Sequence, residues 1–305
     1  MTLDRYVRQV ALLVRTIPEI AEETDFALKG GTAINLFVRD LPRLSVDIDL
    51  VFLPVAEREE SLAAVKAGLE RVAARVDKRP GLHARPLSGD GTKMEVSDGT
   101  ARVLLEANPV IRGTVFEPEL RTVSPRVEEQ FGFAEMQVVS MADLYAGKIA
   151  AALDRQHPRD LFDIHYLFET DGLSDELFTA FIVYLMSHSR PPHEILAPHF
   201  QDLTSIYEND FVGMTVDEVP LATLEKVRQR LVDEIQRRAG ASGPREFLIS
   251  FFSLEPDWSK LPLETDVAAL PAVRWKQRNL EILRERERKK FDQQLADLEQ
   301  VLRSD

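Results

Sequence analysis

Strand-like and helix-like periodicity separate along this chain near residue 140. Before that point short β-rich runs and helical runs alternate. Residues 3–17 carry apolar side chains at helical spacing, Val10, Leu13, Val14 and Ile17 among them. "FALKGG" reads as a strand that ends in a glycine turn, and "TAINLFVRD" as a short helix that begins there. "LSVDIDLVFL" is a strand by its β-rich, alternating character. Residues 57–76 form an amphipathic helix. "LHARPL", "KMEVS" and "ARVLLEA" are short strands, punctuated by the turn signals Gly89-Asp90-Gly91 and Asp98-Gly99. "AEMQVVS" (134–140) is one more. Beyond it only helices are predicted. Ser140 with Asp143 makes a capping-box pattern ahead of "MADLYAGKIAAALDR". Pro158 sits where a first helical residue belongs in "PRDLFDIHYLFE". The last helix is expected over 272–303. The pattern predicts an α+β chain, with a mixed α/β domain over 1–140 followed by a helical domain over 141–305.

A hydrophobic fraction of 44% is enough for a sizeable core. The absence of cysteine excludes disulfides, thiolate zinc sites and thiol catalysis, and it suits a reducing cytoplasm. The N-terminus lacks the continuous apolar core of a signal peptide, and no window approaches the roughly 18 apolar residues of a membrane span, so no membrane partner is expected. A net charge of −13 gives no global attraction to nucleic acid. Any RNA contact therefore needs a local basic patch, and residues 274–290, "RWKQRNLEILRERERKK", are such a stretch. Its interleaved glutamates also suit a solvated helix with i, i+4 pairs. The six histidines show no metal-ligand spacing, and Trp258 and Trp275 read as packing residues.

The chemistry concentrates in "LKGGTAINLFVRDLPRLSVDIDL", Leu28 to Leu50. On a strand, residues i and i+2 point the same way, so Asp47 and Asp49 present two carboxylates about 6–7 Å apart on one face. Such oxygens suit Mg²⁺, which binds through a few carboxylates and substrate phosphates. Two ions about 3.5–4 Å apart can activate a hydroxyl and stabilise a leaving pyrophosphate. Gly30-Gly31-Thr32 lies between a strand and a helix, where backbone can approach a phosphate closely and helix N–H groups are free. A lone Gly-Gly is ordinarily a turn, and a lone Asp-x-Asp is ordinarily a solvated strand edge. Their ordered combination points to one substrate, a magnesium nucleoside triphosphate.

"LKGGTAINLF" followed by "RLSVDIDLVF" resembles the opening signature of the AbiEii/AbiGii-type nucleotidyltransferase toxins, members of the DNA polymerase β-like nucleotidyltransferase superfamily. "SMADLYAGKIAAALDRQHPRDLFDIHYL" resembles that family's second block, and "REFLISFFSLEPDWSKL" and "LPAVRWKQRNL" its later segments. The likeness covers about 25–285.

The resemblance implies a polymerase β-like nucleotidyltransferase domain with a mixed sheet. The helical domain would complete the active site and contact the acceptor. It implies Asp47 and Asp49 as catalytic metal carboxylates. Gly30, Gly31, Thr32 and Ser45 would line the nucleotide, with Ser45 on the face of the two aspartates and open to inhibitory modification. Lys148 would neutralise triphosphate charge. Asp163 would orient it or accept a proton, ahead of Asp160, for which a helix-dipole role suffices. Arg159 would pair with an acid or bind nucleotide. Glu106 is the candidate third metal carboxylate, with Glu95 as its competitor. Arg112 and Arg121 are further candidates for RNA.

The function implied is that of a Mg²⁺-dependent toxin of a toxin–antitoxin or abortive-infection system. It would move an NMP from an NTP to an acceptor, the tRNA 3′ end above all, and so block translation. A cognate antitoxin would be its partner. Transfer to a small molecule, as in antibiotic nucleotidyltransferases, and a non-catalytic nucleotide-binding regulator are the alternatives.

Overall fold

A computed structural model describes residues 2–87 and 89–303. The chain forms two compact units. One is Met1–Leu144 with Phe211–Glu218, and the other is Tyr145–Asp210 with Val219–Asp305. The division falls within a helix, Met141–Arg155.

The first unit is a seven-stranded mixed sheet with helices. Its elements run α1 (Thr2–Ala21), β1 (Phe26–Lys29), α2 (Gly30–Thr32), a π-helical turn (Ala33–Val38), β2 (Asp47–Phe52), α3 (Arg58–Val76), β3 (His83–Pro86), β4 (Lys93–Ser97), β5 (Arg102–Arg112), β6 (Glu119–Thr122), α4 (Pro125–Phe131) and β7 (Glu135–Val138). The strand order is β3-β4-β5-β2-β1-β7-β6. The pairs β1–β7 and β2–β5 are parallel, and the other four are antiparallel.

Alternation decides which face is core. On β5, Val103, Leu105 and Ala107 are buried while Leu104, Glu106 and Asn108 lie half-buried opposite. On β2, Ile48 and Leu50 are fully buried, each worth about 1.5–3 kcal/mol relative to exposure. Asp47 and Asp49 therefore share the other face, Asp47 exposed and Asp49 half-buried. Helix α1 packs on β5, β7 and α3. Glu23, just after α1, takes Arg71 and Arg75 of α3 at 2.5 and 2.7 Å. Burial alone would push the Glu23 carboxyl up, but the two guanidiniums outweigh it and hold it low.

The expected helix after Lys29 forms, partly as a π-turn in which the Arg39 N–H donates to the Ile34 carbonyl at 2.8 Å. Two expectations are corrected here. Strand β2 begins at Asp47, so Ser45 precedes it and owes its position to hydrogen bonds rather than to strand alternation. Residues 211–218, from the stretch expected to be purely helical, belong to the α/β unit. The Leu44 N–H donates to Met214, and the Val216 N–H to Pro42, each at 2.9 Å. Phe211 and Met214 are buried.

In the second unit no strand forms among the described residues. It comprises α5 (Met141–Arg155) from Tyr145 onward, α6 (Pro158–Thr170), α7 (Asp175–Met186), α8 (Pro192–Leu196), α9 (Thr204–Asp210), α10 (Leu221–Ala239), α11 (Ser242–Phe252), α12 (Pro271–Arg286) and α13 (Arg288–Val301). The α5 start is capped as its sequence predicts. Ser140 Oγ accepts from the Asp143 N–H at 3.0 Å, and the Asp143 carboxylate takes the Ser140 hydroxyl and the N–H groups of Val115 and Phe116 at 2.9 Å each. Pro158 opens α6, whose cap is His157: Nδ1 accepts from the Arg159 N–H at 3.1 Å. The single helix expected over 272–303 is two helices, because Glu287 leaves helical geometry at φ −134°, ψ 55°. No helix among the described residues is long and apolar enough to cross a membrane.

Candidate active site

The turn after β1 is shaped by what it must avoid. Gly30 has φ +75°, a region that an L side chain occupies only with strain. A Cβ there would lie 2.4 Å from Asp49 Oδ2. The Gly30 backbone thus rests directly against the Asp49 carboxylate. At Gly31 a Cβ would lie 2.8 Å from the Arg43 guanidinium and 2.9 Å from Ser45 Oγ. Arg43 and Ser45 are both buried, and Arg43 donates to the Leu44 carbonyl at 3.0 Å.

Thr32, fully buried, joins the two ends of this stretch. Its Oγ1 donates to the Asp47 carbonyl at 2.5 Å and lies 3.1 Å from Ser45 Oγ. Asn35 Nδ2 holds the Gly31 carbonyl at 2.9 Å. Gly30, Gly31, Thr32, Ser45, Asp47 and Asp49 are thereby brought together. Ser45 faces inward, with only 8% of its surface exposed. Arg43 was missed in the sequence, although it stands two residues before Ser45 in the same quoted segment.

Register separates the two candidate third carboxylates. Glu106 is directly opposite Asp49 on the parallel neighbour β5. Glu95 lies on β4 opposite Leu104, which is itself opposite Asp47, so a whole strand intervenes. Glu95 pairs with Arg85 at 3.1 Å and Glu106 with Lys93 at 2.9 Å. Among the described residues no three His, Cys, Asp or Glu side chains form a group able to hold a metal ion.

The second unit holds a buried charge cluster. Lys148 Nζ on α5 lies 2.8 Å from Asp160 Oδ1 and 3.0 Å from Asp163 Oδ2 on α6. Both carboxylates are 1% exposed and Lys148 is 7% exposed. Arg155 grips Asp160 with a two-pronged fork, Nε at 2.6 Å and a terminal nitrogen at 3.0 Å. Burial alone would push the Asp160 carboxyl up. Lys148 and the Arg155 fork outweigh that and hold it well below the ordinary range.

Asp160 is thus no simple helix-dipole partner; Lys148 pairs with it as well as with Asp163. The arginine that pairs with an acid here is Arg155, which the sequence reading missed, while Arg159 is half-buried at the start of α6. Gln156 reverses the chain between the two helices at φ +51° and so folds Arg155 back onto Asp160. Arg155 also lines an open cleft of about 310 Å³ with Gln156, Gln201, Ser205, Asn209 and Asp210.

The basic stretch 274–290 does not act as one surface. Lys276 is buried, its ammonium donating to the carbonyls of His188 and Arg190 at 2.7 and 2.9 Å. Burial pushes it down to about 8. Arg284, Arg286, Arg288, Lys289 and Lys290 are exposed around the Glu287 break. Trp258 packs on Phe247 and Phe251, as expected, but Trp275 is 60% exposed. Arg112 is buried, and Arg121 is paired with Glu119 at 2.6 Å, as Arg288 is with Asp292 at 2.9 Å.

The sequence pattern of the nucleotidyl transferase AbiEii toxin family, of type IV toxin–antitoxin systems, matches residues 11–297. Among solved structures the fold is similar to MenT4, a nucleotidyltransferase toxin from Mycobacterium tuberculosis H37Rv. The TM-score is 0.56 at 16% identity, over 98% of this chain and 95% of that one. No curated protein sequence matches the chain.

Proposed function

The chain belongs to the nucleotidyl transferase AbiEii toxin family, and from that premise we propose that this nucleotidyltransferase uses Mg²⁺ to transfer an NMP from an NTP to the tRNA 3′ end. The observation that carries this reading is the closure of the opening stretch on itself. A glycine backbone at positive φ lies against Asp49, and Thr32 bonds the Asp47 carbonyl from the far side of the turn. That arrangement sets a glycine backbone directly beside the strand face that carries two carboxylates.

The donor set fits a hard divalent ion. Asp47 and Asp49 offer only oxygen, on one strand face, and the Gly30 backbone lies directly against the Asp49 carboxylate. These two residues would hold the ion, which when bound supplies charge neutralisation and Lewis acidity at the reacting phosphate. The chain's own groups do the rest. The N–H groups of Gly30 and Gly31 bind phosphate oxygens, and the buried Thr32 and Ser45 hydroxyls hold the turn that presents them. The Arg43 guanidinium behind Gly31 adds fixed positive charge. Such preorganised groups stabilise developing charge without reorganising.

Lys148 and Asp163 are proposed as catalytic, and Arg159 as nucleotide-binding, from the resemblance of their helices. The buried cluster supports an ammonium held in a single orientation. The exposed arginines and lysines around Glu287 are the surface for acceptor phosphates, with salt-sensitive binding expected. An antitoxin encoded with the toxin is its expected partner, and the cytoplasm its site of action.

Labelled NTPs, Mg²⁺ and total tRNA test this, with Asp49→Ala as control. Label on tRNA that the control lacks is the expected result. Label only on small acceptors would establish an antibiotic-type transferase instead. NTP binding without incorporation would establish a non-catalytic regulator.

A further inference from the structure

Four charged residues form one row across the sheet. Lys93 on β4 is in register with Glu106 on β5, Glu106 with Asp49 on β2, and Asp49 with Lys29 on β1. Residues in direct register project to the same face. The row therefore reads cation, carboxylate, carboxylate, cation, and its centre includes one of the two proposed metal ligands.

Adjacent strands are about 4.8 Å apart, so Glu106 stands beside Asp49 at the range where two carboxylates repel and where both can share one ion. Yet Glu106 is already engaged: Lys93 Nζ lies 2.9 Å from its Oε2, with the two side chains 44% and 33% exposed. The Glu106 hydrogen bond and charge hold the Lys93 ammonium above its ordinary value, burial opposes, and Asp90 and Asp49 add to the attraction. Lys93 thus lies within the field of Asp49 itself.

We infer that Lys93 is a positioning residue that withholds Glu106 from the divalent ion. The inference rests on the metal reading above. With Glu106 held as an ion pair, two carboxylates remain, and an ion so held is completed by phosphate oxygens. Metal binding is then weak until the nucleotide adds its oxygens. With Glu106 released, three carboxylates bind the ion more tightly even without nucleotide, because ligand charge count sets affinity.

The test is direct Mn²⁺ binding to the full chain without nucleotide, read from the free-ion signal by electron paramagnetic resonance. A partly exposed ion pair is a weak competitor, so Lys93→Met should tighten Mn²⁺ binding about fivefold. Glu106→Gln should leave it near wild type, and the double variant should match Glu106→Gln. A non-hydrolysable NTP should tighten Mn²⁺ binding more in the wild type than in Lys93→Met. Unchanged or weaker binding in Lys93→Met would overturn the inference. So would a double variant as tight as Lys93→Met, which would make Lys93 a simple repulsive charge. Melting temperatures with and without Mn²⁺ report folding and metal binding independently. Wild-type Mn²⁺ affinity in Asp49→Ala would overturn the metal reading itself, whatever Lys93 does.

Discussion

Replacing Lys148 by methionine removes one charge from a set that sums to zero. Lys148 and Arg155 are cationic, and Asp160 and Asp163 are anionic. Both carboxylates are 1% exposed, so water cannot take over for the lost ammonium. Arg155 is a poor substitute. Its side chain is 62% exposed, which screens its pull, and its two-pronged fork is directed at Asp160. Breaking a buried ion pair by removing one of its members costs about 3–5 kcal/mol. Net stabilities of about 5–15 kcal/mol make that a large fraction. Urea unfolding of Lys148→Met at pH 7, followed by circular dichroism, should show a loss of that size. The double variant Lys148→Met/Asp163→Asn is neutral again and should recover most of it. The pH dependence has a definite sign. The Asp160 carboxyl is held low in the folded chain, so its stabilisation is complete above the ordinary aspartate value of 3.8 and is lost as pH falls below it. The gap between wild type and Lys148→Met should therefore narrow as pH falls through 4. A single variant within about 0.5 kcal/mol of wild type would refute the reasoning, since that is the range of neutral surface changes. So would a double variant less stable than the single. Inactivity of Lys148→Met alone is thus no proof of catalysis; inactivity of the restabilised double variant is the stronger evidence.

Gly30→Ala should lose about 1–2 kcal/mol to the positive φ alone and should also displace the Asp49 carboxylate, which a Cβ would meet at 2.4 Å. Melting temperature and transfer activity should fall together, and a Gly30→Ala protein with wild-type transfer would refute the close approach. His157 caps α6 through Nδ1, and burial, then Arg159, push it down to about 4. Because its folded value lies below the ordinary 6.5, stability should be lost as pH falls from 6.5 towards 4. His157→Asn, an acceptor that does not titrate, should flatten the melting temperature between pH 6.5 and 5; an unchanged slope would place the pH dependence elsewhere.

Alternation between a buried face and a wetter one marks β2, β4 and β5 in the sequence, whereas β1 and β3 were legible from the glycine turns near them. Strand β6, "ELRT", has no buried side chain, so no pattern betrays it; backbone pairing with β7 alone makes it a strand. Residues 211–218 are similar, because their bonds to Pro42 and Leu44 join main chain to main chain, which any sequence can offer. The break at Glu287 also has no glycine or proline to mark it.

The candidate site divides along the same line. Asp47 and Asp49 follow from a period of two. Thr32 was legible as a hydroxyl, but not its bond to the Asp47 carbonyl, because backbone partners leave no trace in composition. Arg155 needed the left-handed Gln156, a conformation that glutamine rarely adopts and so does not advertise. The Lys93–Glu106 pair is the instructive intermediate. Asp98 accepts the N–H groups of Thr100 and Ala101 at 2.9 Å each and so fixes the turn. With Ser97 opposite Arg102, each step back along β4 is a step forward along β5, and Lys93 must meet Glu106. That contact was implicit in the turn residues, since a slip of one would send every side chain to the other face. What brings Glu106 beside Asp49 is different. It is a parallel pairing that no hairpin dictates, and a parallel register is set only by how the finished sheet packs. The turn therefore determines which cation Glu106 meets, and the tertiary fold determines that the pair lies next to Asp49.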